Sequence, residues 1–176
     1  NVNSRVKDEI RIKIGSNSFI GRRNFFSSGK QIIFGDYVLT AADCKFVCAT
    51  HLSGNPFLPY LNSGVSNQDS IKVGTNCFFG VGASVIGNVN VGYGSVIAAH
   101  ALVLKDVPPF SLVVGNPGKV RKRYSFVRNE WIDVDFFSED DLVGLPLEAD
   151  YLLLLQEKNP KIYLPLPAAG SQYGNI

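Results

Sequence analysis

Two histidines, His51 and His100, are the only side chains here whose ordinary proton affinity lies near neutral pH. A neutral imidazole can take a proton from a hydroxyl and pass it on. His51 stands where a regular stretch gives way to a long segment, Leu52 to Ser70, containing Gly54, Pro56, Pro59 and Gly64. Long loops in compact domains are usually functional or disordered, which draws attention to the histidine at its root. The competing reading of His51 is a corner residue that caps a turn. His100, within Ile97-Ala98-Ala99-His100-Ala101, reads as an exposed corner side chain. Lys119, Arg121, Lys122 and Arg123 make a compact basic run, which by itself reads as a solvated surface flanking a domain end. Cys44, Cys48 and Cys77 are an odd number with no paired CxxC, and read as reduced, buried thiols.

What must position these groups is a repeat of six. From Val73 onward, positions 73, 79, 85, 91, 97 and 103 are all Val, Phe or Ile. The following residue is often Gly or Ala, and the fourth residue on is always small or medium. A period of six fits neither an amphipathic helix nor an alternating strand, but is the mark of a parallel β-helix. The apolar residue points into a prism, a small one shares the interior, and Gly at the corner supplies unusual backbone angles. Each coil buries its apolar atoms only when another stacks on it. The pattern starts at Ile14-Gly15 and Ile20-Gly21, after an alternating strand at Ile10 to Ile14. Phe34 follows Ile20 by 14 residues rather than 12, so a corner near Asn24 to Lys30 is bulged.

The prism is expected over residues 1–118, with an inserted loop at 52–70, and a C-terminal part over 119–176. Pro108 and Pro109 should stop the ladder, since Pro has no N–H to donate. Ser111 to Pro117 is a last strand and turn, and residues 119–123 a basic turn. Ser138 with Asp141 reads as a helix-capping box. Pro146 should open a second helix through about Glu157, with Tyr151 and Leu152 to Leu155 packing inward. The tail after Pro160 reads as extended. Seventeen basic against fifteen acidic residues offer no net charge for nucleic acid. No stretch is long and apolar enough for a membrane span or a signal peptide, so a cytoplasmic protein is expected. Met is absent, and the chain is expected to lack its natural start.

The sixes, together with Lys105-Asp106-Val107-Pro108-Pro109 and Gly115-Asn116-Pro117-Gly118-Lys119-Val120, resemble the hexapeptide-repeat acyltransferases. The likeness covers roughly residues 14–123 and is nearest the sugar O-acetyltransferase and xenobiotic acetyltransferase branches. It implies an all-β, left-handed β-helix, a homotrimer, and acetyl-CoA as donor. The left hand comes from the resemblance alone, because parallel crossovers are normally right-handed. The resemblance makes His51 the general base, since the run from Phe34 to His51 matches the family without a gap. It makes the N–H of Val81, beside Gly80, the donor to the oxyanion, in a site shared between two subunits. It also places the pantetheine arm along Ala99, the coenzyme phosphates at Lys119 and Lys122, and its adenine end near Lys105. Acceptor binding falls at Arg23 and Asn24, where some relatives carry Asn in place of Arg23. Asp43 and Asp69 are candidates for orienting His51.

The same prism serves γ-class carbonic anhydrases, whose zinc needs three histidines; two histidines 49 apart cannot supply that motif. No metal is therefore expected. A sugar O-acetyltransferase is the leading reading. An antibiotic O-acetyltransferase and a non-catalytic binding scaffold are the alternatives.

Overall fold

A computed structural model describes residues 5–6 and 9–160. The every-sixth apolar residues form three columns, one inside each face of a triangular prism. Ile14, Phe34, Val73 and Val91 lie side by side on the first face. Ile20, Thr40, Phe79, Ile97 and Val113 align on the second. Phe26, Phe46, Val85 and Val103 align on the third. All these pairings are parallel, so each coil stacks directly on the one before. The small positions between them, including Cys44, Cys77, Ala83 and Ala101, fill what space is left and are buried. The rings of Phe26, Phe34, Phe46 and Phe79 meet near one end, with Phe34–Phe46 centroids 4.8 Å and Phe46–Phe79 centroids 5.1 Å apart. Edge-on aromatic pairs of this kind contribute about 0.5–1.5 kcal/mol beyond their burial.

The corners differ from expectation. The Gly that follows each apolar residue is there for close approach. A Cβ on Gly21 would lie 2.3 Å from the carbonyl oxygen of Ala41, and one on Gly80 would lie 2.5 Å from the nitrogen of Ala99. The left-handed backbone falls two residues later, at Asn17, Arg23, Tyr37, Asp43, Asn76, Gly82, Gly94, His100 and Phe110. That corner position accepts many residue types, so glycine does not mark it.

Pro108 and Pro109 do not stop the ladder. Val107 bridges Val91, and Ser111–Val114 pairs in parallel with Val96–Ile97. The prolines occupy a corner, where no ladder N–H is required. The segment expected as a basic turn is also a strand, Lys119–Ser125, antiparallel to Ser111–Val114 and followed by Glu130–Asp133. The second face thus continues past residue 118 into the C-terminal part.

The capping box at Ser138 and Asp141 is present but opens a 3-10 turn, Glu139–Leu142. The C-terminal helix runs Glu148–Lys158 and lies against the prism through Tyr151, whose hydroxyl meets the Asn76 amide. Tyr93 donates to the Pro146 carbonyl at 2.6 Å and its ring packs on Phe110 and Tyr151. The tail after Pro160 lies outside the described residues.

Candidate active site

One edge of the prism, between the second and third faces, collects most of the site residues read from the sequence. Successive coils turn there through Gly21-Arg22-Arg23-Asn24, Ala41-Ala42-Asp43-Cys44, Gly80-Val81-Gly82-Ala83 and Ala98-Ala99-His100-Ala101. Arg23, Asn24, Gly80, Val81 and Ala99 therefore share an edge. His51 does not. It follows the third-face strand Lys45–Val47, pairs with Val65 in a short antiparallel ribbon, and marks the root of the inserted loop. The third face separates it from the Val81 edge of the same chain. Its imidazole has no hydrogen-bond partner among the described residues. Lys105 stands between Val103 on the third face and Val107 on the first. Lys119 and Lys122 lie on the outer side of the second face, and both are exposed.

The corner amides have their own chemistry. In each corner the residue after the Gly or Ala has an N–H that no ladder partner takes. Two of these are occupied by side chains. Ser16 N–H donates to the Asp36 carboxylate at 2.7 Å, and Thr75 N–H donates to the Glu148 carboxylate at 2.7 Å. Short bonds to an ionised oxygen are the strong kind. The equivalent N–H groups of Arg22, Ala42, Val81 and Ala99 have no acceptor among the described residues. Val81 itself is 46% exposed.

Arg23 and Asn24 are already engaged. Arg23 forms a forked pair with Asp43, Nε to Oδ1 at 2.7 Å and the terminal nitrogen to Oδ2 at 2.7 Å. Hydrogen bonding to Arg23 holds the Asp43 carboxyl below its ordinary range. Asp43 is thus committed to Arg23, and His51 has no bond from it. The Asn24 amide is turned into the corner: its oxygen accepts from Cys44 N–H at 2.7 Å and its nitrogen bonds the Thr40 hydroxyl. Asn24 is a bracket between coils, with both its amide oxygen and its amide nitrogen engaged by the next coil. The signal for this was Thr40, the one polar residue in an otherwise apolar column, whose buried hydroxyl needs a partner.

His100 adopts left-handed backbone, and its ring lies over Gly82, where a Cβ would fall 2.5 Å from Nδ1. A cavity of about 610 Å³ opens elsewhere, on the first face beside the C-terminal helix, lined by Lys72, Asn90, Tyr93, Asp106 and Glu148. It includes none of His51, Val81 or Ala99. Among the described residues, no group of three or more His, Cys, Asp or Glu side chains is arranged to hold a metal ion. No helix among them is long and apolar enough to cross a membrane.

No family model matches the chain. Individual proteins do. A Staphylococcus aureus (strain MRSA252) protein named as an acetyltransferase is 38% identical over 112 residues, 64% of this chain and 55% of that protein. The chain thus spans about half the length of the curated relatives it matches. Among solved structures, a hexapeptide-repeat containing acetyltransferase from Vibrio cholerae has TM-score 0.57 and 29% identity, covering 62% of this chain and 61% of that one. The polySia specific acetyltransferase NeuO has TM-score 0.54 and 25% identity, covering 82% and 63%. The six-residue period thus has the same consequence here as in those structures: the chain has their left-handed parallel β-helix and is similar to the hexapeptide-repeat acetyltransferases.

Proposed function

We propose that this protein transfers the acetyl group of acetyl-CoA to a hydroxyl of a saccharide. The observation that carries the reading is the Val81 N–H, which has no acceptor among the described residues. It sits on an exposed corner whose counterparts at Ser16 and Thr75 bind carboxylate oxygens at 2.7 Å. An amide held in that way is already aimed at a negative oxygen, which is what thioester attack creates. NeuO, named for a polysialic acid acceptor, supports a saccharide as the class of acceptor.

In this scheme His51 Nε2 or Nδ1 takes the proton of the acceptor hydroxyl as its oxygen attacks the thioester carbon. The resulting oxyanion accepts from Val81 N–H. Collapse expels the coenzyme thiolate, which recovers the proton from His51. Gly80 lets the Ala99 backbone pack directly against its coil, and the Ala99 backbone meets the pantetheine arm. Lys119 and Lys122 meet the coenzyme phosphates, and Lys105 the adenine end.

The scheme needs two chains, because the third face stands between His51 and Val81. Copies arranged around that face bring the His51 edge of one to the partner subunit's Val81 edge. The outer side of the face exposes Phe25 (56%) and Ile86 (40%), apolar groups suited to such an interface. A homotrimer closes that arrangement by rotation. The inserted loop, with Phe57 and Leu61 at least 90% exposed, then covers the shared site.

The test is thiol release from acetyl-CoA with a panel of oligosaccharides, sugar nucleotides and antibiotics, with light scattering on the same sample. A saccharide that drives His51-dependent release from a trimer supports the reading. Release only with an antibiotic moves the acceptor to the xenobiotic class, and a monomer at micromolar concentration removes the shared site.

A further inference from the structure

We propose that the Ala42 N–H and the Arg22 guanidinium form an anion subsite, and that the acceptor is therefore an acidic saccharide. Its carboxylate or phosphate should lie about 5–10 Å from the hydroxyl that is acetylated. This rests on the function proposed above, with reaction at Val81.

The edge has a direction. Ala99 and the basic strand Lys119–Ser125 lie on one side of the Val81 corner, and the proposed coenzyme path runs that way. The acceptor is left with the other side, where the next corners are those of Ala42 and then Arg22. Stacked strands are about 4.8 Å apart, so these amides lie about one and two coil spacings from the oxyanion donor. Both N–H groups lack an acceptor among the described residues, and both belong to the class that binds carboxylate at Ser16 and Thr75.

The charges agree. Arg22, Arg23 and Lys45 surround Asp43, which makes three cations to one carboxylate, or net +2. Asp43 is taken by Arg23, while Lys45 Nζ reaches only the Asp43 carbonyl, at 3.4 Å. Arg22 and Lys45 have no ion pair among the described residues. The loop rooted at His51 carries no Asp, Glu, Lys or Arg from Leu52 to Gln68. It brings no charge of its own, so it does not neutralise the positive charge of this corner. Arg22, rather than its neighbours Arg23 and Asn24, is then the specificity-determining residue.

The experiment compares a neutral oligosaccharide, a uronate-bearing one of the same length and a sugar nucleotide, for the wild type, Arg22→Gln and Arg22→Lys. Thiol release gives kcat and KM, and calorimetry without acetyl-CoA gives binding. Arg22→Gln should raise the KM of the acidic acceptor about ten- to hundred-fold, the usual worth of a charged hydrogen bond. Its kcat and the KM for acetyl-CoA should stay within a few fold, Arg22→Lys should recover part of the loss, and added salt should weaken the wild type most. Preference for the sugar nucleotide over the uronate assigns the anion to phosphate, and the reverse to carboxylate. Equal use of the neutral oligosaccharide, or an unchanged KM in Arg22→Gln, overturns the subsite while leaving His51-dependent chemistry intact. If no saccharide gives His51-dependent release, the functional reading fails; calorimetry on the uronate oligosaccharide still decides the subsite, and absence of Arg22-dependent binding sinks it.

Discussion

The carboxylate of Glu148 accepts the backbone N–H of Thr75 at 2.7 Å, joining the C-terminal helix to a corner of the prism across 73 residues of sequence. The helix has no buried residue of its own. It is held by such contacts together with Tyr151 on Asn76, Tyr93 on Pro146 and the Tyr151 ring against Phe110 and Tyr93. Glu148→Ala should cost about 1 kcal/mol, typical of a net hydrogen bond. The Thr75 amide should then exchange with solvent much faster, while amides inside the prism stay protected. Unchanged exchange at Thr75 would mean the contact does not persist in solution.

His51→Ala should keep the fold and the coenzyme affinity but lose about 10²- to 10⁴-fold in turnover, the usual contribution of a positioned base. His100→Ala should cost far less. Its ring lies along Gly82 on the opposite side of the third face from His51, and cannot substitute for it in the same chain. Both variants are compared on one acceptor, with circular dichroism as the check on folding. A nearly normal His51→Ala beside an inactive His100→Ala would reverse the roles.

Much of the prism was legible because its cause is local and repeated. Val73, Phe79 and Val85 recur at a fixed step, and burial of each follows from that step. The features that stayed hidden depend on neighbours in space. Pro108 and Pro109 read as a stop, yet at a corner their missing N–H costs nothing. The strand Lys119–Ser125 does not alternate, because its register shifts opposite Leu112 and Val113. Left-handed corners carry Arg23, Tyr37 and His100, residues that do not advertise that conformation. The resemblance put Asn24 in the acceptor site, and only the stacked coil reveals Thr40 and Cys44 as its partners within the prism.

Val85 is fully buried in the third-face column, between Phe46 and Val103. Val85→Asp should abolish folding. No buried cation is available there, and an unpaired charge costs several kcal/mol, comparable to the whole stability of a domain. Recovery of a soluble protein with a cooperative unfolding transition would contradict the register of the columns.

Asp141 should set the acid stability of the C-terminal hairpin. It is buried, accepts from Ser138 N–H at 2.9 Å, Ser125 Oγ at 2.8 Å and a terminal nitrogen of Arg128 at 3.2 Å, and lies 2.9 Å from Arg128 Nε as an ion pair. The Ser138 backbone bond leads in lowering its pKa below the ordinary 3.8. A lowered carboxyl pKa stabilises the fold above the unfolded value and loses that stability as pH falls through the folded one. The wild-type hairpin should therefore loosen only below about 3.8, followed by fluorescence of Trp131, the single tryptophan. Asp141→Asn should already be loosened at neutral pH and show no further step in that acid window. A wild-type signal that stays flat down to pH 2 would remove Asp141 as the cause.

Lys119 and Lys122 are three apart, and in a regular strand they would point to opposite sides. The bulge at Arg121 changes this. Val120 pairs with Val113 and packs on the core, whereas Lys122 pairs with Leu112 and Lys119 with Val114, which puts both lysines on the outer side. Two ammonium groups on one surface are what a diphosphate requires. Replacing both by Ala should raise the KM for acetyl-CoA by about tenfold or more and leave kcat nearly unchanged. Contacts to the phosphates lie far from the reacting carbon and act equally in ground and transition states. Raising the salt concentration should mimic the double variant. Deleting Arg121 would remove the bulge and turn Lys119 inward, so its effect on coenzyme binding should approach that of losing Lys119. An unchanged KM for acetyl-CoA in the double Ala variant would return this strand to an ordinary solvated surface.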